Sequence, residues 1–172
     1  LERAGKEDAR LEFDWLAEEL AGITKLQAIQ DDSLEISSEA TRKIDVCLEQ
    51  RIAGRPIQYV LGKAYFSGFS FAVRPGVLIP RQDTEILVSE AIARIGAKKA
   101  ALLDLCTGSG CIGLSVLKCC PNTTAVLSDI SEDALSVCKT NADAMDLSDR
   151  CQIVKSDLWN ALQSKKFDYI FS

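Results

Sequence analysis

Apolar and polar positions divide the chain into two textures. Over residues 8–22 and just beyond, Leu11, Trp15, Leu16, Leu20 and Ile23 recur at helical spacing. A second short helix is expected over 26–30. Ser37-Ser-Glu-Ala reads as a helix start, with Ser37 or Ser38 as cap, and the helix runs through Ile44, Leu48 and Ile52 until Gly54 closes it. Residues 1–54 therefore predict an all-helical domain. From Pro56 the texture changes. Tyr65-Phe-Ser-Gly-Phe-Ser-Phe alternates aromatic residues around Gly68 and predicts a β-hairpin, followed by an extended stretch over 77–80. Asp83 or Thr84 is expected to cap a helix over about 85–95, with Ile86, Leu87, Ala91 and Ile92 inward.

Beyond residue 100 strands and helices alternate. Strands are expected over 100–106, 124–130, 151–156 and 167–172, with helices over 111–119 and 133–145. This alternation predicts an α/β fold with a parallel sheet and crossover helices, its strands ordered 3-2-1-4. The expected domains are a helical unit over 1–54, a hairpin and linker over 55–80, and an α/β unit over 81–172.

Composition narrows the function classes. A hydrophobic share of 47% and a charged share of 26% suit a soluble globular protein. The net charge of −5 argues against a broad nucleic-acid footprint and leaves only a local basic patch around Arg51, Arg55 and Lys63. No apolar run reaches the length of a membrane span and no signal peptide opens the chain, so a cytoplasmic protein is expected. The first residue is Leu, which suggests a trimmed N-terminus. Seven cysteines without a CxxC pair, and no histidine, speak against a zinc site; no metal is expected. Cys106, Cys111, Cys119 and Cys120 adjoin apolar runs and are expected as small buried thiols in a reducing compartment. Without histidine, chemistry must come from carboxylates, backbone groups or a reactive cofactor.

The sharpest motif is Asp104-Leu-Cys-Thr-Gly108-Ser-Gly110-Cys-Ile-Gly113, between the first of these strands and the next helix. Glycines there allow a tight turn and close approach of a ligand to the helix N-terminus. The spacing also matches the dinucleotide fingerprint, and Asp129 at the end of the second strand suits a ribose in either case. Asp104 separates the two. A pyrophosphate beside that carboxylate would meet like charge, whereas S-adenosylmethionine brings an ammonium and a sulfonium. Asp157 adds a third acid at the end of the third strand, within reach of an adenine amino group, and all three acids fall at the ligand edge of such sheets.

These motifs together resemble the release-factor glutamine methyltransferases, the HemK/PrmC family, over nearly the whole chain. Arg55-Pro-Ile-Gln-Tyr-Val-Leu-Gly62 is similar to its junction between helical domain and hairpin. Val77-Leu-Ile-Pro-Arg-Gln-Asp-Thr-Glu85 is similar to its proline-arginine loop, with Gln82 and Asp83 where the family usually has Pro and Glu. The glycine loop, Ser128-Asp-Ile-Ser-Glu-Asp-Ala-Leu135 and Ser156-Asp-Leu158 are similar to its cofactor segments, with Cys106 in place of a glycine.

The resemblance implies a Rossmann-like methyltransferase that moves a methyl group from S-adenosylmethionine to the glutamine side-chain amide of a Gly-Gly-Gln motif in a peptide chain release factor. It implies that Cys106, Thr107, Gly108, Ser109 and Gly110 line the methionine part of the cofactor. Asp129 would hold the ribose, and Asp157 and Leu158 would border the adenine. The helical domain would help dock the protein substrate.

In the family the fourth strand leads into Asn-Pro-Pro-Tyr, which holds the target amide. The chain ends at Ser172, where that motif should begin, so no catalytic residue is assigned. A truncated, inactive chain is expected, with weak cofactor binding and self-association or disorder at the fourth strand. Alternatives are a nucleic-acid N-methyltransferase, an NAD-dependent oxidoreductase, and a non-catalytic binding module.

Overall fold

The computed structural model describes residues 1, 5, 8–31 and 33–172. They fall into two compact units, Leu1–Gly62 and Lys63–Ser172. The first unit holds helices α1 (Ala9–Ala21), α2 (Lys25–Gln30), α3 (Ser38–Ile52) and α4 (Ile57–Leu61). Gly22, in the left-handed region at φ 68°, ends α1. Thr24 and Gln27 then form a reciprocal capping box on α2, satisfying two N–H groups that a short helix would otherwise leave unpaired. The Ser37 hydroxyl accepts the Ala40 N–H at 3.2 Å and starts α3.

Leu16, Ile44 and Ile57 make the core of this unit, with Trp15, Leu20 and Val60 packed around them. Ile57 belongs to α4, so the helical unit runs on past residue 54, and residues 57–61 are helix rather than linker. Pro56 sets its start and Gly62, at φ 72°, its end.

The same unit contains a half-buried ion pair, Arg51 Nε to Glu12 Oε2 at 2.8 Å. Arg55 donates to Gln50, so two members of the expected basic patch point at protein groups rather than at a phosphate. Removing the guanidinium strands the Glu12 carboxylate at 8% exposure. Arg51→Ala is expected to destabilise the helical unit by about 2 kcal/mol, below the cost of breaking a fully buried pair. Urea unfolding followed by helix circular dichroism checks this; an unchanged midpoint would show that Glu12 finds water instead.

The second unit opens with a hairpin, β1 (Lys63–Phe66) and β2 (Phe69–Ala72), in antiparallel register with Phe66 opposite Phe69. Ser67 and Gly68 both take positive φ, 49° and 79°, as a two-residue hairpin turn of matching twist requires. Helix α5 (Glu85–Ile95) follows a short 3₁₀ turn at Gln82–Thr84. Neither expected cap residue bonds there: Thr84 is the N-cap by position and its side chain makes no capping bond. Val88, Ala91 and Ile95 face inward, while Ile86 is 70% exposed. Apolar residues lie all around this helix, so their spacing alone does not single out the buried face.

Strands β3 (Ala100–Leu105), β4 (Thr123–Asp129), β5 (Cys151–Lys155) and β6 (Tyr169–Phe171) form one parallel sheet in the order β5-β4-β3-β6. The expected order 3-2-1-4 is therefore the observed one. Helices α6 (Cys111–Cys119) and α7 (Glu132–Ala144) make the crossovers. β6 is shorter than expected. Phe167 packs against the cluster of Leu103 and Leu162, and Asp168 pairs with Ala101 through its backbone N–H and its carboxylate, both at 2.8 Å.

Phe66 and Phe71 belong to the same core as Val88, Ile95, Leu102, Leu114 and Leu127. The hairpin is thus part of the α/β unit and not a linker before it. Among the described residues, no helix is long and apolar enough to cross a membrane, and no group of three potential metal ligands occurs.

Candidate functional site

The glycine loop runs from β3 over the carboxyl ends of the strands into α6. Asp104 supports it from below. Its side chain is 1% exposed, and Oδ2 accepts the Thr107 hydroxyl at 2.7 Å and the Gly113 N–H at 2.9 Å. A carboxylate at a helix N-terminus is favoured by the exposed N–H groups and the helix dipole. A side chain at Gly113 would place its Cβ 2.4 Å from Leu127 and 2.9 Å from Asp104 Oδ2, so only glycine admits this contact. Asp104 therefore shapes the loop from beneath it, a buried carboxyl next to the expected ligand edge.

Burial pushes the Asp104 carboxyl up to about 6, against the downward pull of Thr107 and Gly113. Its folded value lies above that of a free aspartate, so the protonated form is favoured by folding. That contribution is full below about pH 4 and disappears as pH rises through about 6. Relative to Asp104→Asn, which lacks the titration, the wild type is expected to lose ~2–3 kcal/mol of stability across that window. Parallel unfolding free energies of the two proteins between pH 4 and pH 7 would refute this assignment.

Asp129, the last residue of β4, holds the loop from the side. Its Oδ2 accepts the Gly108 N–H and its Oδ1 accepts the Ser131 N–H, each at 2.9 Å. Thr107 N–H donates to Ser128 O, and Ser156 N–H to Asp129 O, so the ends of three strands are tied together here. Asp129 is half-buried, and a carboxylate offers about four lone-pair sites, so two remain for a diol.

Cys106 takes φ 60° and is exposed, contrary to the expectation of a buried thiol; the turn carries its side chain outward. Cys119 is exposed as well, while Cys120 is buried. Thr107 and Ser109 are buried within the loop. Gly108, at φ 57°, has nothing within 4 Å of a would-be Cβ and borders open space. Asp157 and Leu158 follow β5 and are exposed, Leu158 at φ 46°, with Ile130 exposed at the end of the neighbouring strand. The three acids thus differ: one buried under the loop, one on its flank, one in solvent.

Asn141 is the residue that the sequence pattern did not single out. It is 2% exposed on α7, and its Nδ2 donates to Ser109 O at 2.8 Å. The available signal was an amide within the buried stripe of Cys138 and Ala142.

A ligand lying here meets backbone, one half-buried carboxylate and exposed aliphatic groups. The stretch 104–113 contains no Lys or Arg and is flanked by Asp104 and Asp129, a donor set that fits a cationic nucleoside better than a pyrophosphate. Sheet order, glycine loop and terminal acid define a Rossmann-like methyltransferase unit. The family described as Methyltransferase small domain matches residues 81–172, and the PrmC N-terminal domain matches residues 1–62. The chain belongs to the HemK/PrmC family of methyltransferases.

A release factor glutamine methyltransferase of Geobacter sulfurreducens is 33% identical over 172 residues, all of this chain and 60% of that protein. A ribosomal protein uL3 glutamine methyltransferase of Francisella tularensis is 39% identical over 132 residues, 75% of this chain and 42% of that protein. The chain therefore spans less than two thirds of the length of these relatives. Among solved structures, a T. thermophilus 16S rRNA N2 methyltransferase in complex with AdoMet and guanosine aligns with TM-score 0.53 at 24% identity, over 63% of this chain and 30% of that one. This last likeness bears on the fold alone.

Proposed function

We propose that the chain is the cofactor-binding portion of a protein methyltransferase that takes S-adenosylmethionine and methylates the side-chain amide of a release-factor glutamine. The observation that carries this reading is the Asp129 carboxylate, bonded to Gly108 N–H at 2.9 Å and retaining lone pairs toward the open side of a loop without cationic side chains. In this reading the methionine part lies along Cys106, Thr107, Gly108, Ser109 and Gly110. Asp129 accepts the ribose hydroxyls, Asp157 and Leu158 border the adenine, and Asp104 acts through the loop it holds. S-adenosylmethionine supplies a methyl group activated by its sulfonium, which the poorly nucleophilic amide nitrogen needs. The chain's residues bind and orient that methyl donor.

The match of residues 1–62 to the PrmC N-terminal domain, with a Geobacter relative named for release factor glutamine methylation, supports a release factor as substrate. The helical unit also carries the whole of the net charge of −5, which supports a protein partner over nucleic acid. The Francisella relative favours a second reading, a glutamine of a ribosomal protein, and the two readings share the cofactor site.

Calorimetry with S-adenosylmethionine and NAD side by side tests the cofactor: binding of the first alone is expected, and binding of NAD alone overturns the proposal. Labelled methyl transfer by the full-length gene product to a Gly-Gly-Gln release factor, beside ribosomal protein uL3, tests the substrate. Transfer to uL3 alone would replace the release factor.

A further inference from the structure

Asn141 does more than fill a place in α7. Its side-chain Oδ1 accepts the Ala72 N–H at 2.6 Å, and its Nδ2 donates to Ala72 O at 3.1 Å as well as to Ser109 O at 2.8 Å. Both backbone groups of Ala72 thus pair with one amide, as they would with a neighbouring strand. The same amide holds the carbonyl at the middle of the glycine loop. Both Nδ2 hydrogens are engaged, one on the hairpin and one on the loop. One turn away on α7, Cys138 Sγ would lie 2.8 Å from a Cβ at Gly110, so the helix also backs the loop by direct packing. Two further ties near the hairpin have other partners. Ser67 N–H donates to Glu85, and Arg74 donates to Asp133, at 2.9 Å each. The Asn141 tie reaches both the hairpin and the loop.

We infer that Asn141 is a positioning residue that couples the β1–β2 hairpin to the cofactor loop, so that ligand binding at the loop tightens the hairpin and loosening the hairpin weakens the ligand. This rests on the reading of the loop as the S-adenosylmethionine site. The physical reason is shared bonding. A ligand that fixes the loop fixes Ser109 O, which holds the amide plane, which holds Ala72. Coupling of this kind is reciprocal. Aspartate at this position keeps the acceptor for Ala72 N–H but sets its other oxygen against two carbonyls; alanine leaves all three backbone groups without their partner.

The test combines hydrogen exchange with calorimetry. In the wild-type chain, S-adenosylmethionine is expected to slow exchange of the Ala72 amide at least several-fold. In Asn141→Ala and Asn141→Asp the affinity is expected to fall about tenfold or more, and any remaining binding no longer protects Ala72. Arg74→Ala removes a neighbouring tie to α7, two residues past β2, and serves as the control, with cofactor affinity within about twofold of wild type. An equal affinity loss in Arg74→Ala and the Asn141 variants shows general destabilisation and overturns the coupling. So does an Ala72 amide in the wild type that ignores the ligand, a result that needs no variant to fold. A wild-type chain that binds no S-adenosylmethionine overturns the cofactor reading and this inference with it. Wild-type binding with unaltered Asn141 variants overturns this inference alone.

Discussion

An Asp129→Ala variant is expected to bind S-adenosylmethionine on the order of 100-fold more weakly than the wild type, or worse. Two losses combine. The ribose hydroxyls lose a charged acceptor, and each hydrogen bond to a charged group contributes ~1.5–3 kcal/mol. The loop loses its lateral anchor as well, because the Gly108 and Ser131 N–H groups both donate to this carboxylate at 2.9 Å. Asp129→Asn separates the contributions. It keeps an acceptor oxygen but brings an amide toward one N–H donor, so an intermediate loss is expected. Calorimetric titration reads both variants, and wild-type affinity in Asp129→Ala would remove the residue from the site.

The largest expected effect on stability lies in the hairpin. Phe71 is fully buried and Phe66 is 1% exposed, with their rings edge to face at a centroid distance of 6.2 Å. Phe71→Ala removes a whole aromatic side chain from a core shared with β3, α5 and α6, at a cost of about 3–5 kcal/mol. Denaturant unfolding of the second unit measures this. A cost under ~1 kcal/mol would mean that the hairpin is an appendage whose removal leaves the sheet intact.

Much of the architecture was legible because parallel strands buried on both faces read as unbroken apolar runs. Ala100 to Leu103 and Ala125 to Leu127 are such runs, each followed by an acid, Asp104 or Asp129, at or next to the end of its strand. The hairpin was legible from its turn, but its membership in the α/β core was not. Alternating aromatics show which residues share a face and say nothing of what covers it. Helix α4 has only five residues, too few for periodicity, although Pro56 before it and Gly62 after it marked its ends.

At the site, the glycines and Asp129 stand where the motif put them. The burial of Asp104 was not legible, because it depends on a loop folding back over it through Thr107 and Gly113. Asn141 went unread for a related reason. Its partners are backbone groups at Ala72 and Ser109, and backbone groups leave no residue-type signal in sequence.

The Asn141 contact also orders events during synthesis. Sixty-nine positions separate Ala72 from the amide that pairs with it. The helical unit closes over a shorter span, with 39 positions between Glu12 and Arg51. A chain emerging from the ribosome can complete its helical unit as soon as residue 62 is out. The hairpin, made next, must wait: until α7 has emerged, the outer backbone groups of Ala72 have only water to bond, and the aromatic face of β1 and β2 has no core to enter.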